Sequence, residues 1–278
     1  MKEQGLLEGR APESAQEYER LVVASPNSSI VWIKYIAYFV SLAEISKARQ
    51  IAERALKAIS FREEKEKLNV WTAWLNLENM YGTEESLERV RREAVQFCEP
   101  LQIHTRMARI FEDTKKYEKA EAQHKMLCRK FRQSAKAWTD FAAFLFRRSR
   151  GSETRALMEE GLKVLPRVDH VKLITKFGQM EYSIGSAERG RTIFDNVVAN
   201  YPKRVDVWSV YIDMEVKHGD QESVRRIMAR ATNLNLSTKK MKFLFTKCLD
   251  YEKEHGTEES ANAIKEKARE YIQNKANA

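Results

Sequence analysis

VDVWSVYIDMEVKHGDQESVRRIMARA (205–231) holds the pattern that decides the fold. Trp208, Tyr211 and Glu215 stand at an anchor, +3 and +7, which places them on one face of an α-helix. Gly219 follows at +11, where a helix C′ residue with positive φ is predicted. QESVRRIMARA (221–231) then reads as a second amphipathic helix. The unit is helix, short turn, helix.

The frame recurs along the chain. Trp71, Trp74, Glu78 and Gly82 fit it, as do Ile174, Phe177, Glu181 and Gly185, and Phe245, Cys248, Glu252 and Gly256. Weaker copies start at Trp32, His104 and Trp138. Further second helices are ISKARQIAERALKAI (45–59) and SAERGRTIFDNVVANYP (186–202), and Pro100, Pro166 and Pro202 punctuate the ends of second helices. One hairpin cannot bury its apolar side alone, whereas stacked hairpins can. The expected fold is all-α, a right-handed α-α superhelix of about seven hairpins over 26–278, with units starting near 26, 66, 101, 134, 169, 203 and 238. Residues 1–25 are expected to form an extension in which APESAQEYERLVVA (11–24) is a capping helix with Pro12 near its start. The charged segment FREEKEKLN (61–69) either extends a helix or bulges as a loop.

Composition agrees with a helical chain: 278 residues contain only 10 Gly and 5 Pro, against 32% charged residues. The net charge of +9 is uneven, because residues 101–150 carry 13 basic and 5 acidic side chains. A local anionic partner is implied rather than a diffuse one. Cys98, Cys128 and Cys248 are far apart and form no CxxC, which argues against a disulfide framework or zinc site and for a reducing compartment. No apolar run approaches the roughly 20 residues that span a bilayer, and the N-terminus lacks an apolar signal core. It reads as the start of a fragment.

Trp at the anchor, an aromatic at +3, Glu at +7 and a second helix of the type ARQIAERAL (48–56) resemble the half-a-tetratricopeptide (HAT) repeat of RNA-processing proteins. More closely, 10–88 and 177–217 resemble the C-terminal helical-repeat region of large ribosomal-RNA-processing factors that carry S1 RNA-binding domains upstream. That resemblance implies a nucleolar module of the early small-subunit processome, acting in the processing of both subunits' rRNA. It implies pre-ribosomal assembly proteins as partners, with pre-rRNA reached directly or through S1 domains that this chain lacks.

Three sets of residues are site candidates. The anchors Trp32, Trp71, Trp74, Trp138, Trp208, Tyr211 and Phe177 either stack nucleobases or pack between helices, and their spacing favours packing. Glu181 with Arg191, and Glu215 with Arg225, are each ten apart. Their arginines form either a phosphate ladder or, as preferred here, an ion pair joining the two helices of one hairpin. Arg49 and Arg155 occupy the same place, seventeen after their anchors. Lys115, Lys116, Lys119, Lys125, Arg129, Lys130 and Arg132, with Arg147, Arg148 and Arg150, make either an anion-binding patch or a solvated face.

No catalytic, cofactor or metal site is expected. The five histidines lack metal spacing, no nucleotide-binding or nucleophile-elbow motif occurs, and nothing points to a membrane or small-molecule substrate. The leading expectation is a non-catalytic scaffold in ribosome biogenesis. The alternatives are a HAT scaffold of mRNA 3′-end cleavage or splicing, dimerising through its repeats, and direct RNA binding through the basic patch.

Overall fold

A computed structural model of the chain describes Pro12 and residues 14–276. It divides into two compact units, Met1–Phe131 and Arg132–Ala278. Among the described residues both units are built of α-helices joined by short turns.

In the first unit α1 (Ala15–Ala24) precedes three hairpins: α2 (Ser29–Ser41) with α3 (Ile45–Ala58), α4 (Glu64–Tyr81) with α5 (Glu84–Phe97), and α6 (Pro100–Asp113) with α7 (Tyr117–Lys130). The second unit holds four: α8 (Ala135–Arg147) with α9 (Thr154–Val164), α10 (Arg167–Ser183) with α11 (Ala187–Asn200), α12 (Val205–His218) with α13 (Gln221–Thr232), and α14 (Thr238–His255) with α15 (Glu258–Ala276). Within each unit the first helix of a hairpin packs on its own second helix and on the first helix of the next hairpin, so both units are helical-repeat stacks.

Local sequence explains the helix ends. Ser14 caps α1 by accepting the Glu17 N–H at 3.3 Å, so α1 starts at Ala15, and Pro12 lies before it; Ala11 and Glu13 lie outside the described residues. Thr83 and Ser86 form a reciprocal capping box on α5, and Asp220 accepts the Ser223 N–H at 2.8 Å on α13. FREEKEKLN resolves into a short turn followed by the first turns of α4.

The +11 position departs from the expected geometry. Gly82, Gly219 and Gly256 are extended, with φ of −96°, −102° and −110°. Their glycine requirement is steric, since a Cβ would overlap the carboxylates of Glu78, Glu215 and Glu252, which fold back under the turn. The left-handed conformation occurs instead where +11 is not glycine, at Ala43, Lys115 and Ser149, with φ of 58°, 59° and 58°. The hairpins therefore use two turn types, and Glu at +7 selects the extended one.

Candidate interaction surface

The anchor aromatics are interior. Trp32, Trp71, Trp74, Trp138, Trp208, Tyr211 and Phe177 are all buried, each between packed helices. Three indoles share one device: Trp32, Trp138 and Trp208 donate to the carbonyls of Pro26, Arg132 and Pro202, six residues earlier, at 2.9, 2.9 and 3.1 Å. The carbonyl fixes the ring as the chain enters each helix, and burial of such a side chain contributes about 2–3 kcal/mol. In the fifth and sixth hairpins, Phe194 stacks on Tyr211 at 5.1 Å, and the Tyr211 hydroxyl donates to Asp195 at 3.0 Å.

The acidic and basic repeat residues pair across hairpins, not within them. Arg191 of α11 donates to Glu215 of α12 at 2.6 Å, and Arg225 of α13 to Glu252 of α14 at 3.0 Å. Arg49 of α3 meets Glu78 of α4 at 2.7 Å in the same way. This corrects the expected pairing of Glu181 with Arg191 and of Glu215 with Arg225. The reason is helical phase. Gly190 abuts the Tyr182 ring of α10, so the next residue, about 100° further round, turns toward the following hairpin. Glu181 instead contacts Arg189 at 3.4 Å and accepts the Ser186 N–H at 3.3 Å.

Chemistry of the pairs follows from burial. The side chains of Glu78 and Glu215 are wholly buried. Burial alone would push the Glu78 carboxyl up, but hydrogen bonds from Arg49 and Ser86 outweigh it and hold the group below the usual carboxylate range. The Arg225 guanidinium lowers Glu252 against the opposing effect of burial, helped by the Ser260 hydroxyl. Burial and the hydrogen bond to Glu215 raise the Tyr182 hydroxyl, keeping it protonated as a donor at 2.6 Å. These groups are committed to structure. Arg155 is the exception: the 3-10 turn Gly151–Glu153 replaces the first α-turn of its helix, and the side chain stands in solvent beside Glu159 at 3.3 Å.

Several basic candidates are also engaged. In the first unit the Lys116 ammonium donates to the Asn79 carbonyl and Oδ1 at 2.6 and 2.8 Å, Lys119 pairs with Glu84, and Lys125 pairs with Glu121 at 2.7 Å. Lys130 lies 5.7 Å from the Phe131 ring centre, while Lys115 and Arg129 are exposed on the turn before α7 and on its outer side. In the second unit Arg132 is exposed and lends its carbonyl to Trp138, Arg150 pairs with Glu153 at 2.6 Å, and Arg147 and Arg148 end α8 on its exposed side.

Sequence reasoning missed a groove in the first unit. It has a volume of about 380 Å³ and is lined by Glu53, Leu56 and Lys57 of α3, Lys67, Trp71 and Trp74 of α4, and Glu93 and Phe97 of α5. Among the described residues no cluster of His, Cys, Asp and Glu is arranged to hold a metal, and no helix is long and apolar enough to cross a membrane.

Residues 141–278 match the family described as the pre-mRNA-splicing factor Syf1/CRNKL1 C-terminal HAT repeat. The mouse protein RRP5 homolog is 49% identical over 277 residues, which is 99% of this chain and 15% of that protein. The Arabidopsis thaliana rRNA biogenesis protein RRP5 is 44% identical over 96% of the chain and 14% of its own length. The Schizosaccharomyces pombe rRNA biogenesis protein rrp5 is 44% identical over 94% of the chain and 15% of its own length. The chain thus spans about one seventh of these relatives. Its Trp, aromatic and Glu frame, its stacked hairpins and this agreement over nearly its whole length make one conclusion: the chain belongs to the RRP5 family, as its C-terminal HAT-repeat region.

Proposed function

We propose that this chain is a non-catalytic interaction scaffold in ribosome biogenesis. It holds pre-ribosomal assembly proteins in the nucleolus, within the early small-subunit processome, and serves the processing of both subunits' rRNA. The observation that supports this reading is 44% identity, over 94–96% of the chain, to two relatives named as rRNA biogenesis proteins. The geometry is in keeping with it, because the repeated Trp, Glu and Arg side chains are spent on joining hairpins, leaving the stack surfaces for partners. The splicing alternative draws on the match over 141–278, which covers only part of the chain and speaks to the repeat type.

The test is sedimentation. The tagged chain, expressed in cells, is expected in the nucleolus and in gradient fractions holding pre-ribosomal particles. A uniform cellular distribution with the chain only at the top of the gradient overturns the reading.

Direct RNA binding is the second reading, favoured by the excess of 13 basic over 5 acidic side chains in 101–150. Four phosphate contacts with single-stranded RNA would give a slope of log affinity on log salt near −3, at about 0.7 per phosphate. A flat response in a gel shift removes this reading and leaves the scaffold.

A further inference from the structure

The indole device fails at one anchor. It needs a non-helical carbonyl six residues before the ring. In the second hairpin α4 already begins at Glu64, so the residue six before Trp71, Lys65, is helical and its carbonyl points along the helix axis. The Trp71 indole N–H accordingly has no hydrogen-bond acceptor among the described residues, and the residue is 4% exposed.

That ring lies in the groove between α3, α4 and α5. Trp74, Trp71 and Phe97 form one stack, with centroid separations of 5.5 and 6.1 Å and interplanar angles of 5° and 14°. Phe97, its outer member, is 73% exposed, so the open end of the stack presents an apolar face to solvent. Leu56 completes the apolar lining. The rim is polarised. Helices α3 and α5 both run antiparallel to α4, so Glu53 and Glu93 mark one end, while Lys57, one turn later, and Lys67, near the start of α4, mark the other.

We propose that this groove docks an extended peptide segment of a protein partner. A large apolar side chain of the peptide packs against Leu56, Trp71 and Phe97, and a peptide carbonyl accepts the Trp71 indole N–H. A basic peptide residue faces Glu53 and Glu93, and an acidic one faces Lys57 and Lys67. An extended segment fits because a helix commits its carbonyls to its own ladder, whereas an extended chain offers them. The two rim lysines are balanced by two carboxylates, so the groove lacks the net positive charge that a phosphate backbone calls for, which sets a peptide above a nucleic acid here. The inference deepens the scaffold reading and rests on it for the class of partner.

The test uses the full chain labelled with nitrogen-15, in which each indole N–H gives its own resonance, and Trp71→Phe assigns the one in question. The probe is a blocked Lys-Gly-Phe-Gly-Glu peptide. The expected result is a saturable shift of the Trp71 indole, with the Trp208 indole, already bonded to Pro202, unmoved. Phe97→Ala, a change at an exposed position, is expected to weaken binding by about tenfold, and so is replacing the peptide Phe with Gly. No shift, an equal shift of all indoles, or a shift produced by oligouridylate and not by the peptide overturns the proposal. The readout needs no pre-ribosome. Failure here with particle association intact removes the groove alone, while loss of particle association with a specific Trp71 shift removes the ribosomal reading alone.

Discussion

Arg191 and Glu215 meet at 2.6 Å across the boundary between two hairpins, 24 residues apart in sequence, with the carboxylate wholly buried. Removing the cation strands a buried charge, so Arg191→Met is expected to destabilise the chain by about 3 kcal/mol. Glu215→Gln also loses the charge-assisted bonds from Arg191 and Tyr182. Urea unfolding of both single variants and the double should give a coupling energy of about 1–3 kcal/mol. Additive effects would mean that the two side chains do not act as a pair.

The two turn types predict substitutions of opposite sign. A Cβ on Gly219 overlaps the Glu215 carboxylate, so Gly219→Ala should cost about 1–3 kcal/mol. Ala43 stands at φ 58°, a conformation that costs an L-residue about 1 kcal/mol. Ala43→Gly should therefore be neutral or stabilising, despite the greater freedom glycine gives the unfolded chain. Thermal melting of the two variants reads the difference, and equal losses would contradict this account of the turns.

His104 gives the stability a pH dependence. Burial, then the charges of Arg91 and Lys130, lower it from 6.5 to about 4, with Glu88 opposing. Its Nδ1 lies 3.0 Å from the Gln123 amide. The folded chain thus refuses a proton that the unfolded chain accepts near pH 6.5, so stability is full above that value and falls as pH drops toward about 4. In denaturant titrations at stepped pH, His104→Leu should flatten this interval. An unchanged slope would assign the loss to other groups.

Lys116 and Arg129 separate structure from surface. Lys116 bonds the Asn79 backbone and side chain, so Lys116→Met should cost about 1–2 kcal/mol. Arg129 is exposed, and Arg129→Ala should stay within about 0.5 kcal/mol. Similar chemical-denaturation midpoints for the two variants would count against the structural role of Lys116.

Much of the fold was legible because anchor, +3 and +7 spacing reports the buried side of each first helix, and the period survives where individual residues drift, as at His104. The ion-pair partners were misassigned because two helices lie near each arginine and spacing alone does not say which it faces. A signal was present. Arg49, Arg155, Arg191 and Arg225 each stand one unit before a Glu at +7, whereas Glu88 and Glu121 precede units with Phe111 and Leu145 at that place. The sequence rule for glycine also misled, because its usual role at a helix end is conformational and here it is room for a carboxylate. The groove at Trp71 was not legible at all. It follows from where α4 begins, which the charged segment 61–69 left open.

The irregular turn at Gly151–Glu153 changes how one joint of the stack is made. Arg191 and Arg225 rivet the last three hairpins together, while Arg155, which would have bolted the fourth hairpin to the fifth, is swung aside. The joint near Leu165 and Pro166 is closed instead by the packing of α8 and α9 on α10, so it depends on apolar fit where its neighbours also depend on charge.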